Sequence, residues 1–350
     1  MKIDDIARIA NVSKSAVSLA LNGKPGVSEE TRKKVIQIVE EYNYVPLRKA
    51  KKKSSQENKI IRFIACYDDD NDIVTRSYQS LPFFNELLNH LSEDIKNYPY
   101  TLLISSVNSN TVSEELTVLE TEQNSDAFIV LGTNLNEEHV KEILAIQKNT
   151  VVLDTCFPSL DCDFITMNNY QGAYLAATTL IKNGHTSIGY AMGNPRFYNF
   201  EEREKGFWAA LNQNKLKLNK EHILTFPAMM ICNQIEDFMF LKDLKEMPTA
   251  FFCENDYIAI SLIKTLKSLG FMIPEDVSII GFDDISEAMV ISPELTTMQV
   301  RKDIIAKETL RILSQKLSNE KDLAQHVFIN TTLIERQSCI NKNITNNTFK

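Results

Sequence analysis

Two patterns of hydrophobic spacing divide this chain near residue 59. Beyond that point, short apolar runs alternate with longer amphipathic stretches. The apolar runs predict strands at 60–66, 100–107, 127–131, 150–153, 164–167, 187–192, 249–253 and 277–282, with a late one at 327–334. The stretches at 83–96, 113–123, 137–147, 170–182, 201–214 and 256–269 carry apolar residues at helical spacing. Continuous apolar strands alternating with helices predict parallel sheets covered on both faces. So many units exceed one comfortable sheet, so the pattern predicts two α/β lobes.

Before residue 59 the spacing is helical throughout. Residues 3–7 open a short helix, Ala10 to Ser13 make a turn, and 13–22 form a second helix with Val17, Ala20 and Leu21 inward and Val12 beside them. Ser28 is placed as the N-cap of a third helix over 28–43, whose inward residues are Val35, Ile38, Val39 and Tyr42. Two small helices joined by a tight turn form a helix-turn-helix unit, which sets its second helix into the DNA major groove. Tyr44 to Ser55 hold little that builds a core. Five of the six residues from Arg48 to Lys53 are cations, which repel one another and favour an extended linker.

Charge sharpens this division. The 350 residues carry a net charge of −8, but residues 1–55 hold 12 Lys and Arg against 6 Asp and Glu, a net +6. The rest hold 26 against 40, a net −14. A basic head on an acidic body directs a polyanion to the head alone. The six cysteines form no CxxC pair and read as buried thiols of a reducing compartment. No secretory leader is seen before the first helix, and no apolar run approaches the roughly 20 residues of a membrane span. A cytoplasmic location is expected.

Enzymatic signatures do not appear. His90, His139, His185, His222 and His326 make no metal-spaced pair, and there is no GxSxG, Walker or GxGxxG motif. No metal or cofactor is expected. An exported solute-binding protein would suit the body alone, but not the head.

The motifs resemble the lactose-repressor/galactose-repressor family of bacterial transcription regulators over residues 1 to about 340. In the head these are Val12-Ser13-x-x-Ala16-Val17-Ser18-x-x-Leu21-Asn22, Val27-Ser28-x-x-Thr31-Arg32 and Tyr44-x-Pro46. In the body they are Asn183-Gly184-His185-x-x-Ile188-Gly189, Arg203-x-x-Gly206-Phe207, Asn255-Asp256-x-x-Ala259, Gly281-Phe282-Asp283-Asp284 and Leu295-Thr296-Thr297. The resemblance implies a lambda-repressor-like helix-turn-helix head (1–46), a basic hinge (47–58) and a two-lobed periplasmic-binding-protein-like core of type I (59–340). The first lobe is expected at about 59–166 plus 295–326, the second at about 167–294 plus 327–340, with a flexible tail at 341–350. The implied protein is a homodimeric, allosteric repressor of a pseudo-palindromic operator, controlled by a small effector, a sugar or sugar derivative, held between the lobes, with no membrane partner.

Within that frame, Lys14, Ser15, Ala16, Ser18 and Leu19 lie on the outward side of the second helix, where side chains meet base edges. Ser13, Asn22, Lys24, Tyr44, Arg48, Lys49, Lys51, Lys52 and Lys53 suit backbone phosphates. Leu19 stands where the family often has Arg, Leu47 where it has Asn, and Lys53 where it has the Leu that wedges into the minor groove. A lysine cannot unstack base pairs, so a phosphate-hugging hinge is expected rather than a strong central kink. For the effector, Asp154, Arg203, Asn255 and Asp283 offer paired hydrogen bonds to adjacent hydroxyls, Phe83 offers a stacking face and Met167 a floor. Each has a plainer alternative: Arg203 and Asp283 as a structural ion pair, Asp154 as a turn residue, Phe84 as core. Val300 stands where a family Gln is often found, predicting one polar contact fewer near the cleft. The acidic run Asp68 to Asp70 reads as a solvated loop.

Overall fold

The continuous apolar runs become buried parallel strands. A computed structural model describes residues 3–21, 24–41, 58–67, 81–320 and 323–345. It divides into a head, residues 1–58, and a core, residues 59–350.

In the head, α1 (Ile3–Ala10), α2 (Lys14–Leu21) and α3 (Glu29–Glu41) surround Ile6, Ala10, Val17, Ala20, Val35 and Ile38. Ser13 and Ser28 cap α2 and α3, each accepting a backbone N–H three residues on, from Ala16 (3.1 Å) and Thr31 (3.2 Å). Arg32 on α3 donates to the carbonyl oxygens of Ala20 (3.2 Å) and Lys24 (2.8 Å), tying down the end of α2.

The core holds two six-stranded sheets. The strands are β1 (Lys59–Tyr67), β2 (Tyr100–Asn108), β3 (Ala127–Leu131), β4 (Thr150–Leu153), β5 (Asp163–Met167), β6 (Ile188–Asn194), β7 (Ile223–Pro227), β8 (Ala250–Cys253), β9 (Ser278–Asp283), β10 (Thr296–Gln299), β11 (His326–Ile329) and β12 (Thr332–Ile334). The first sheet runs β11-β5-β4-β3-β1-β2, the second β12-β10-β9-β8-β6-β7. All described pairings are parallel except β10 with β12. Every residue of β3, β4, β5, β8 and β9 is buried, as expected for strands covered on both faces. Asn168 and Asn255 cap the helices Asn169–Lys182 and Asp256–Ser268.

The lobe boundaries differ from the expectation by one strand in each direction. Residues 295–326 were expected in the first lobe, yet β10 pairs with β9 of the second sheet. Residues 327–340 were expected in the second, yet β11 pairs with β5 of the first. The apolar run 327–334 is therefore two strands, broken at Asn330 and Thr331 where the chain changes lobes. That crossing is stitched to another: the Asn168 amide donates to the Ile329 carbonyl (2.7 Å), and its side chain to Asn330 Oδ1 (2.8 Å). The strand 223–227 and the helix Lys302–Leu317, which leans on β3, β4 and β5, had no counterpart in the predicted elements. The six cysteines are unbridged, four of them buried.

The helices Asn169–Lys182 and Tyr198–Gln213 come close together at Gly206, where an added Cβ would stand 2.2 Å from the Tyr170 carbonyl oxygen. Backbone cannot swing aside as a side chain can, so overpacking must shift a helix. Gly206→Ala is expected to cost about 2 kcal/mol in urea denaturation at an unchanged slope; a loss under about 0.5 kcal/mol would contradict this packing.

Candidate functional site

The carboxyl ends of the strands of both sheets converge on one narrow cavity. Thr133 follows β3, Asp154 follows β4, and Met167 ends β5 on the first lobe. Met229 follows β7, Asn255 follows β8, and Asp283 ends β9 on the second. Phe83 and Phe84 come from the helix Pro82–Asp94, and Asn199, Phe200 and Arg203 from the helix Tyr198–Gln213. Phe197 and Tyr257 complete the wall. Ligands in open α/β sheets bind at these strand ends; the free space between the walls is only about 20 Å³, room for about one water, so a larger ligand requires the lobes to part.

All six residues expected at the effector site, Phe83, Asp154, Met167, Arg203, Asn255 and Asp283, line this cavity. Arg203 and Asp283 are also the ion pair offered as the alternative, at 3.1 Å. Asp154 is also a turn residue, with φ +66°. Phe84 is buried and meets Phe83 edge to face at 5.3 Å. Asn255 has less to offer a ligand than its residue type suggests. Its carbonyl caps Ile258 N (2.9 Å), and its amide donates to the Ala228 carbonyl (2.8 Å). Val300 does not line the cavity; it is buried beside a separate depression with Glu86, His90 and Lys302. Replacing a family Gln there removes no contact from this cavity.

A chain of hydrogen bonds runs from one lobe to the other through the site. Asp154 accepts from the Thr133 hydroxyl and from Asn199 Nδ2 (2.8 Å). Asn199 Oδ1 accepts from Asn169 Nδ2 (2.7 Å), and Asn169 Oδ1 from Arg203 Nε (2.8 Å). Arg203 donates further to Asp283 and to the Glu254 carbonyl, and its guanidinium lies 3.7 Å from the centre of the Phe282 ring. Two more bonds cross the lobes: Phe83 N to the Tyr257 hydroxyl (3.4 Å) and Ser286 N to Glu86 Oε1 (3.2 Å). Lys302 Nζ joins Glu86 Oε2 (2.8 Å) to the Asp283 carbonyl (3.0 Å).

Burial sets the electrostatics. It raises the Asp154 carboxyl from 3.8 to about 6, against the hydrogen bonds of Thr133 and Asn199. It also raises Asp283, against the pull of Arg203 and Lys302. Behind them Asp256 rises to about 8, from burial first and the Asp283 charge second. Asp283 stands at φ +115°, a conformation that costs a non-glycine residue energy and is held by its surroundings.

Thr133, Asn199, Phe200, Phe197, Met229 and Tyr257 escaped the sequence reading. A usable signal existed for Asn199, four residues before Arg203 and so on the same helix face.

In the head, Lys14, Ser15 and Lys24 are exposed, and Ala16, Ser18 and Leu19 are half-buried. Ser13 is exposed, but its hydroxyl is engaged as the α2 cap and lies 3.0 Å from Ser15 Oγ. Leu19 turns towards the loop after α2, with Cδ1 3.2 Å from where a Gly26 Cβ would stand. Gly26 has φ +119°, which favours glycine there. Asn22, Tyr44, Arg48, Lys49, Lys51, Lys52 and Lys53 lie outside the described residues, as do Leu47, Asp68 to Asp70, most of the hinge and residues 346–350. The first half of the tail is not the flexible segment expected: Lys342–Thr345 form a short helix, with Lys342 N donating to the Asn183 carbonyl (2.9 Å) and Asn343 Nδ2 to the Lys182 carbonyl (2.9 Å).

Residues 2–46 match the bacterial regulatory proteins of the lacI family, and residues 177–339 the periplasmic binding protein-like domain. The HTH-type transcriptional repressor PurR of Aliivibrio fischeri (strain MJ11) is 31% identical over 349 residues, spanning 97% of this chain and 98% of the relative. The chain belongs to the LacI family of bacterial regulatory proteins. The ribose operon repressor of Haemophilus influenzae is 30% identical over 336 residues, spanning 95% and 97%. Among solved structures, the Lac repressor dimer bound to operator and the anti-inducer ONPF superposes with a TM-score of 0.71 at 19% identity, covering 97% of this chain and 99% of the other. A LacI-family regulator from Enterococcus faecium with bound ribose gives 0.65 at 23%, covering 81% and 99%. These likenesses establish a helix-turn-helix head followed by a two-sheet α/β core. As a LacI-family member the chain is a DNA-binding transcriptional regulator, not an enzyme. Among the described residues no helix is long and apolar enough to cross a membrane.

Because burial holds the folded Asp154 carboxyl above its unfolded value, its contribution to stability is complete below pH about 3.8 and is lost as pH rises through about 6. Asp154→Asn is expected to flatten the fall in melting temperature across that window in a calorimetric pH series. An unchanged slope would show that Asp154 is not the group responsible.

Proposed function

We propose that this LacI-family chain is a cytoplasmic, homodimeric repressor whose operator affinity is set by a sugar or sugar derivative held in the interlobe cavity. One observation carries the reading. Asp154 and Asp283, one from each lobe, line the same cavity with Arg203 among five aromatic rings. Carboxylates accept from adjacent hydroxyls, while aromatic faces cover the C–H faces of a sugar ring. Two of the likenesses support it: one relative is a ribose operon repressor, and one solved neighbour, CelR, is in complex with cellobiose.

Regulation then follows from the hydrogen-bond chain across the lobes. A ligand hydroxyl that donates to Asp154 competes with Asn199 for that carboxylate, and one that donates to Asp283 competes with Arg203. Occupancy therefore changes how firmly the lobes are joined. Two heads paired through their cores must match two half-sites about one helical turn apart, so a change of lobe angle changes operator affinity. Thermodynamic linkage makes the coupling reciprocal. In each head Lys14, Ser15, Ala16, Ser18 and Leu19 meet base edges, while Ser13, Lys24 and the basic hinge hold phosphates.

A thermal-shift screen of sugars, sugar phosphates and nucleobases tests the effector class. At least one sugar is expected to raise the melting temperature, since about 2.7 kcal/mol accrues at a hundredfold excess over Kd. Asp283→Ala is expected to abolish the shift while leaving operator affinity within about twofold. Stabilisation by nucleobases alone would overturn the carbohydrate assignment. In gel shifts, Lys14→Ala should weaken specific binding more than non-specific binding; equal losses would make Lys14 a phosphate contact.

A further inference from the structure

A second buried acid stands just behind the cavity, and neither the carbohydrate reading nor the interlobe chain uses its side chain. Glu254 follows β8 and is fully buried. Its carboxylate accepts from three donors: the Tyr190 hydroxyl (2.5 Å), Gly193 N (2.6 Å), and Arg196 Nη1, which reaches both oxygens (2.7 and 2.6 Å). Arg196 also reaches Glu204 Oε2 at 2.9 Å. Two of the three donors, Gly193 near the end of β6 and Arg196 in the turn after it, lead into the helix Tyr198–Gln213. Neither Glu254 nor Arg196 lines the cavity.

What this turn carries is the aromatic wall. Phe197 and Phe200 both line the cavity and pack together at 5.6 Å. Phe197 occupies the N-cap position but makes no side-chain capping bond, so the start of this helix lacks the usual restraint. Phe200 lies between two guanidinium groups, Arg196 at 5.6 Å and Arg203 at 5.9 Å from its ring centre. Gly193 lets the ring approach: a Cβ there would stand 2.5 Å from Phe200. Glu254 therefore holds both cations beside that ring, Arg196 through its carboxylate and Arg203 through its carbonyl. Burial pushes its carboxyl above the ordinary range and Arg196 pulls it back, so the charge depends on this partner.

We propose that Glu254 and Arg196 are a positioning pair that fixes the Phe197–Phe200 wall, so that effector affinity depends on a charge pair outside the cavity. The proposal rests on the cavity being the effector site. A preorganised wall spares the ligand the cost of ordering it.

The test uses the full-length protein and four variants, Glu254→Gln, Arg196→Met, Arg196→Lys and Glu204→Gln, with folding checked by circular dichroism. Two readouts are taken: calorimetric titration with D-ribose and with cellobiose, and the rate of chymotryptic cleavage after Phe197. Glu254→Gln and Arg196→Met are expected to weaken binding of whichever sugar the parent binds about tenfold and to speed that cleavage by a similar factor. Arg196→Lys, which keeps the charge, should recover most of both effects, and Glu204→Gln should leave both within about twofold. Rescue by lysine separates positioning from loss of fold. Should Glu254→Gln fail to fold, the two Arg196 variants decide the matter. If neither sugar binds the parent, the cleavage rates alone decide. Affinities and cleavage rates within about twofold of the parent in Glu254→Gln and Arg196→Met would overturn the proposal.

Discussion

The structure depends on satisfying buried charge where the two lobes meet. Arg203 brings a buried guanidinium to this junction, and a buried charge must be paired. It finds Asp283, Asn169 and the Glu254 carbonyl, and stacks on Phe282. Through Asn169 and Asn199 the same network reaches Asp154 on the other lobe. The partners of each lobe's buried groups thus lie partly on the other lobe. A polar network runs among the aromatic residues where the lobes meet, whereas the strands beneath are apolar.

Most of the architecture was legible because parallel strands buried on both faces read as unbroken apolar runs. β3, β4, β8 and β9 emerge within a residue or two of where the pattern put them. The crossings were not legible. Nothing local distinguishes β10 from β11 as to sheet, because that is decided by which strand each meets across long sequence separations. The site shows the same division. Residues at strand ends with a charged or amide side chain, such as Asp154 and Asp283, were found. Phe197, Phe200 and Tyr257 were not, because an aromatic residue at a helix start looks like core until the opposite lobe is in place. Asn255 shows the opposite limit, since its residue type announced a ligand contact while both ends of its amide were spent on backbone.

The division of charge between head and body has a physical consequence for regulation. The head's net +6 supplies attraction to any duplex, and the body's net −14 repels it. Affinity for DNA in general therefore resides in the head, and the acidic core is left to modulate it. A modulator needs two arrangements separated by a small free energy. Hydrogen bonds between lobes that a ligand's hydroxyls can replace provide such a margin, while the two sheets stay intact.

The most direct test of this account is a double-mutant cycle across the lobes. Asp154→Ala, Asn199→Ala and the double variant are each unfolded in urea, and the coupling energy is taken from the four stabilities. A coupling of about 1 kcal/mol or more is the predicted result. Effects that add to within about 0.3 kcal/mol would mean that the two residues do not join the lobes, and the account would be contradicted.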